Sequence, residues 1–213
     1  MADAPHAAAA TLPPLFVHPL DPLSEREIGK AVEIVKTAKG LADTMRFAMV
    51  RLEEPAKAAV LAWAPGVVLA RQAFIVLFDN KSGRTFEAIV DITHKAVVSY
   101  VERPVAEAPY GQPPVIVEEF FKAEAIVKAD ARWRAAIKRR GLTDADIEKV
   151  QVDPFSAGFF DREVERGRRL VGAVSYYRED MKDNGYAHPI EGVVALVDLI
   201  NEVVVDLIDE PDV

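Results

Sequence analysis

Apolar residues recur at helical spacing over Ile28, Ala31, Val32 and Val35, which puts them on one face of a 3.6-residue period. Ser24-Glu25-Arg26-Glu27 stands just before them. A serine with a glutamate three positions on is a capping box, so a helix starts there, and Gly40 is placed to end it. The period then changes to two. Met45–Leu52 reads as a strand with Phe47, Met49 and Arg51 on one face, and Ala73–Asp79 as a strand with Phe74, Val76 and Phe78 opposite Ile75 and Leu77. Asn80-Lys81-Ser82-Gly83 is turn chemistry, and Phe86–Ile92 with Ala96–Val101 reads as a hairpin around Thr93-His94-Lys95. Ala56–Ala70 can hold a helix that Pro65-Gly66 cuts short.

Arg103–Pro114 carries four prolines and Gly111, which predicts an extended linker. Beyond it, Val115–Val127 and Asp130–Arg140 read as helices, with Asp130 as N-cap and Gly141 as stop. Val150–Phe160 and Leu170–Tyr177 read as strands, and Gly192–Leu199 with Val203–Ile208 as a second hairpin. Set against each other, Thr85–Glu102 and Gly192–Asp209 align Ala88 with Ala195, Val90 with Val197, Asp91 with Asp198 and Val98 with Val205. Two apolar hairpins can look alike by chance, because strands use few residue types. Each half nevertheless runs helix first and strands after, which favours duplication. The expected fold class is α+β: two tandem domains, each an antiparallel sheet packed against helix. The expected boundaries are 15–104 and 115–213, with a linker at 105–114 and a disordered Ala/Pro tail at 1–14.

Composition narrows the function. Among 213 residues, 26 Lys and Arg against 34 Asp and Glu give a net charge of −8. That disfavours a nucleic-acid partner, which needs cations to displace phosphate counterions. With no cysteine there is no disulfide, thiolate metal site or cysteine nucleophile. The longest stretch without an ionic side chain, Ala4–Leu20, is broken by prolines, so no membrane span is expected and a cytoplasmic location is the default.

Chemistry-bearing patterns are sparse. Ser156 in Phe155-Ser156-Ala157-Gly158 lacks the preceding glycine of a nucleophile elbow. His6, His18, His94 and His188 form no metal-ligand pair, and His188 reads as a structural hydrogen-bonding residue before a ligand. The basic runs Arg132–Arg140 and Arg162–Arg169 are followed by or interleaved with acids, so they read as a solvated face or an interdomain salt network before a phosphate site. Glu118/Glu119 and Asp144/Asp146 are expected on helix surfaces.

Four segments in order change the picture: His18-Pro19-Leu20-Asp21-Pro22-Leu23-Ser24, Val150-Gln151-Val152-Asp153-Pro154-Phe155-Ser156-Ala157-Gly158, Arg166-Gly167-Arg168-Arg169-Leu170 and Tyr186-Ala187-His188-Pro189-Ile190-Glu191-Gly192. Together they resemble the N-terminal region of copper amine oxidases, over roughly 16–211. The resemblance implies two cystatin-like domains that precede a catalytic domain, in a homodimeric enzyme that turns primary amines into aldehyde, ammonia and hydrogen peroxide. It also implies copper and topaquinone in the whole enzyme, but no Asn-Tyr-Asp/Glu triplet and no His-x-His pair occurs here. The chain alone is therefore expected to bind no copper and oxidise no amine. By the matching motifs, Phe120, Phe155 and Tyr186 fall where the family lines its substrate channel; the alternative for Phe120 and Phe155 is core filling. A rival reading of the whole is a free-standing protein-interaction module built from the same two domains.

Overall fold

The computed structural model describes residues 18–106, 111–180 and 182–210; the expected tail at 1–14 lies outside them. The capping box forms as the sequence predicts. The Glu27 backbone N–H donates to Ser24 Oγ, and the Ser24 N–H donates back to the Glu27 carboxylate at 2.8 Å. Helix α1 then runs Glu25–Lys39 and ends at Gly40, whose φ of 57° is open to a residue without Cβ.

Four antiparallel strands follow, β1 (Met45–Glu53), β2 (Gln72–Asp79), β3 (Thr85–Asp91) and β4 (Ala96–Arg103), in the spatial order β1-β2-β3-β4. Ala31 and Val35 of α1 pack on Ala73, Ile75, Leu77, Ala88 and Val90, which forms the first core. One expectation fails in β1. The register slips between Phe47 and Met49, so Phe47 and Val50 face the core while Met49 is exposed. A bulge adds one residue and reverses the alternation after it, which separates Phe47 from Met49 and Arg51. The expected helix at Ala56–Ala70 shrinks to α2, Lys57–Leu61, with no buried residue to extend it.

The second half repeats the plan with two helices. Asp130 ends α3 (Val117–Ala129) and caps α4 (Ala131–Arg139), accepting from the Arg132 and Trp133 amides at 2.8 and 3.1 Å. Strands β5 (Val150–Ser156), β6 (Leu170–Tyr177), β7 (Pro189–Asp198) and β8 (Val203–Asp209) form a second antiparallel sheet in sequence order. Its core centres on Trp133, fully buried, whose indole N–H donates to Ser175 Oγ at 3.1 Å. β5 stops at Ser156 instead of reaching Phe160, because the chain turns out of the ladder near Gly158.

The hairpin alignment carries down to single atoms. β3–β4 slips register between Ile89 and Val90, and β7–β8 slips between the aligned Leu196 and Val197. Asp91 accepts from the His94 amide at 2.7 Å and Asp198 from the Asn201 amide at 3.0 Å. Lys95 and Glu202, also aligned, take positive φ of 54° and 55°.

The two sheets meet through Phe78. It points away from its own helix, yet it is fully buried, with the Arg169 guanidinium 4.7 Å from its ring centroid. Arg46 and Asn80 add bonds to Glu118 at 3.0 Å each. Within the segment expected as a linker, the Gly111 N–H donates to Pro104 O at 3.0 Å, while residues 107–110 lie outside the description.

Candidate functional site

The second sheet has a helix-covered face and an open one. Val150, Val152 and Pro154 of β5 turn toward the helices, so Gln151, Asp153 and Phe155 turn the other way. Phe155 stands opposite Gly172 and is 53% exposed. Next to it, Phe160, Gly172, Val194, Leu196 and Ile208 line a shallow, mostly apolar groove of about 380 Å³, together with the Arg162–Asp206 pair. Phe155 therefore does not fill the core.

Tyr186 lies on a short 3₁₀ turn, Gly185–Ala187, capped by Asn184, whose side chain accepts from the Tyr186 amide at 3.2 Å. The turn lies tight on β5 and β6. A Cβ at Gly185 would meet Gln151 Oε1 at 3.0 Å and Arg178 Cγ at 3.1 Å, so a larger residue would have to push these side chains aside by a few tenths of an ångström. The Tyr186 hydroxyl donates to Asp153 Oδ2 at 2.6 Å, and its ring meets Tyr176 edge-on with centroids 5.1 Å apart. The bond to the Asp153 carboxylate, with the negative charge beside it, pushes the Tyr186 phenol above its ordinary value.

The structure brings Phe155 and Tyr186 to strand β5, where Tyr186 bonds Asp153 two residues before Phe155. Phe120 belongs to the other layer. It lies on α3 beside the buried Glu119 and is 41% exposed, so it is not a core residue either. Sequence reasoning missed Asp153 and Gln151 as partners of Tyr186. The short-range signal that could have found them is the Gln151-x-Asp153-x-Phe155 alternation, which puts all three on one face.

Charged groups fall mostly into pairs. Glu119, expected on a helix surface, is buried and receives Arg169 through two bonds of 2.7 and 2.6 Å, because the chain ahead of α3 and the start of β6 close over it. Glu118 stays on the surface and bonds across to the first sheet. Both basic runs are drawn into ion pairs, Arg134 and Lys138 with Asp144, Arg140 with Asp209, and Arg162 with Glu165. Among the described residues no group of three or more His, Asp or Glu could hold a metal ion. His94 Nδ1 contacts Asp91 at 2.9 Å and His188 Nε2 lies 3.7 Å from Asp183. These residues do not fit a copper site, and no tyrosine stands in a quinone-precursor triplet. Among the described residues no helix is long and apolar enough to cross a membrane.

The chain is similar to known proteins along both halves. The family pattern described as copper amine oxidase, N3 domain, matches residues 118–212, and that described as AGAO-like N2 domain matches residues 24–100. A primary amine oxidase of Arthrobacter sp. (strain P1) is 41% identical over 193 residues, which are 91% of this chain and 28% of that protein. A histamine oxidase of Arthrobacter globiformis is 37% identical over 206 residues, 96% of this chain and 28% of that protein. The crystal structure of a copper-containing benzylamine oxidase from Hansenula polymorpha shares the fold with a TM-score of 0.71 at 18% identity, over 92% of this chain and 30% of that one. The chain thus spans under a third of the length of these relatives.

Proposed function

The chain belongs to the copper amine oxidase family, whose N2 and N3 domain patterns it carries, and on that premise we propose that it forms the non-catalytic front of a primary amine oxidase. Its role there is to pack against a catalytic domain, support the homodimer and contribute a wall to the path of the amine. The observation that carries this reading is the open face of the second sheet, where Phe155 and Tyr186 stay exposed although neither is needed for the core. An aromatic wall admits the apolar part of an amine and limits the entry of bulk water. Phe120, on the helix layer, contributes from a different side. Copper and topaquinone supply the oxidative chemistry in the family and belong to the catalytic domain, so this chain's own residues bind and orient without taking part in the redox step.

Two measurements test the reading. The 213-residue chain, loaded with copper, is expected to yield no amine-dependent peroxide and no quinone absorbance; either signal overturns the assignment as a non-catalytic portion. In an oxidase that carries this chain at its front, Phe155→Ala is expected to raise KM for a ring-bearing amine such as benzylamine more than for methylamine. An equal fold-change in KM for both substrates, or no change in either, would remove Phe155 from the path. The rival reading, a free-standing interaction module, predicts a native product of about 23.4 kDa in source cells, the mass of this chain alone.

A further inference from the structure

We propose that Asp153 is a positioning residue that holds the Tyr186 ring in one orientation on the open face of the second sheet, as a fixed wall for the passing amine. The inference rests on the channel reading above and deepens it. Tyr186 is 61% exposed, and an exposed ring free of partners exchanges rotamers within nanoseconds. Here its hydroxyl is bound at 2.6 Å by a carboxylate, a charge-assisted bond stronger than one between neutral groups. The carboxylate is held in turn, since Gln151 Nε2 donates to the same oxygen at 2.9 Å. Asp153 is fixed by the strand ladder opposite Val174. The Tyr176 ring closes one side of Tyr186 and the Asn184 cap holds its backbone.

This arrangement does little for the fold. Tyr186 is absent from the buried cluster around Trp133, and its far face is open to solvent. What the tether accomplishes is to order an exposed aromatic surface in advance. A wall ordered before the ligand arrives removes part of the entropy cost of packing against it. A Tyr–Asp pair also differs from a purely apolar ring, because the bound hydroxyl keeps the polar edge of the ring turned toward β5.

The test uses Asp153→Asn, which keeps the shape and removes the charge. In the 213-residue chain the Tyr186 phenol, followed by NMR titration, is expected to fall toward its ordinary value, and its χ1 couplings to average between rotamers. If neither moves, Asp153 does not hold the ring and the proposal is overturned. Asp153→Glu, which retains the carboxylate, is expected to restore the phenol shift in part. In the oxidase carrying this chain, Asp153→Asn is expected to raise KM for benzylamine roughly threefold to tenfold, less than the full worth of a charge-assisted hydrogen bond because only the ordering of the ring is lost, with kcat changed less than about twofold. Tyr186→Ala separates the two levels. If it raises KM while Asp153→Asn does not, the channel reading stands and the positioning role fails. If Tyr186→Ala leaves KM for benzylamine as it was, both fail.

Discussion

Two arginines, one in each half, do the same work in different surroundings. Arg71 and Arg169 each stand one residue before the second strand of their sheet. Each reaches back to the third residue of its helix, Glu27 or Glu119, with Nε at 2.9 and 2.7 Å. Each glutamate also accepts the amide at its helix N-cap, Ser24 or Ile116, at 2.8 and 2.9 Å. Each guanidinium then binds carbonyls of the proline-bearing approach to the helix, Pro22 at 3.2 Å in one case and Pro113 at 2.8 Å in the other. Even the arginine carbonyls agree, accepting from Ile92 and Leu199 at 2.9 Å. The clamp ties helix start, approach segment and sheet together in both domains.

The difference lies in burial. The Arg71 and Glu27 side chains keep 15% and 24% of their exposure, whereas Arg169 and Glu119 keep 5% each. Among the described residues the second clamp is covered by the other domain, with Phe78 of the first sheet beneath its guanidinium. A pair with water nearby contributes modestly, and one partner can be lost cheaply. A buried pair is nearly neutral as a pair but severe to break, because the remaining charge has no solvent. The second clamp is therefore the point where the fold of one domain depends on the presence of the other.

The largest effect follows directly. Arg169→Met should destabilise the chain by about 3–5 kcal/mol, since it leaves the Glu119 carboxylate buried without its partner. Arg71→Met should lose only about 1 kcal/mol. Urea unfolding of both variants checks this. Equal losses would mean that burial does not separate the two clamps, and the comparison would collapse.

The repeated hairpins give the next contrast. Asp198 is fully buried and accepts from the Ile200 and Asn201 amides at 3.0 Å each and from the Asn201 side chain at 2.7 Å. Its counterpart Asp91 binds the His94 amide and ring at the exposed tip. Asp198→Ala is expected to cost about 2 kcal/mol and Asp91→Ala about 1 kcal/mol, because Asp198 is the more deeply buried carboxylate and leaves two backbone amides without their acceptor against one for Asp91. Thermal unfolding of the two variants reads the ratio, and the reverse order would show that tip exposure is not what sets it.

How much of this was legible in the sequence depends on range. The Ser24–Glu27 box, the Asp130 cap and the hairpin alignment are local patterns, and the structure forms all of them. The bulge after Phe47 was not legible, because an inserted residue leaves no mark in a run of strand formers. Nor was the burial of Glu119. Its partner Arg169 lies 50 residues away, inside a basic run that reads as solvated, and only the closure of the approach segment makes the pair. The same applies to the site. The motifs singled out Phe155 and Tyr186 by resemblance, but their relation to Asp153 needed the turn at Gly185 to fold back onto β5. Phe120 had the same warrant in sequence, and the sheet separates it from the other two by putting it in the helix layer.

The smallest effect sharpens the comparison from the acid side. The bond from Arg71, supported by those from Ser24, holds the Glu27 carboxyl well below the usual range, at about 2. In the unfolded chain it returns to about 4.5. The folded value is the lower one, so Glu27 contributes stability that is fully present above pH 4.5 and is lost as pH falls through about 2. Solvent screening of this partly exposed pair reduces the contribution to about 1 kcal/mol. Glu27→Gln should therefore lower the unfolding free energy by about that amount at pH 7, and the gap to the parent chain should close between pH 4.5 and 2. A gap that persists unchanged at pH 2 would assign the loss to the helix cap alone. The first clamp would then be a capping device that the arginine merely covers, and the likeness to the buried clamp would be one of geometry without shared energetics.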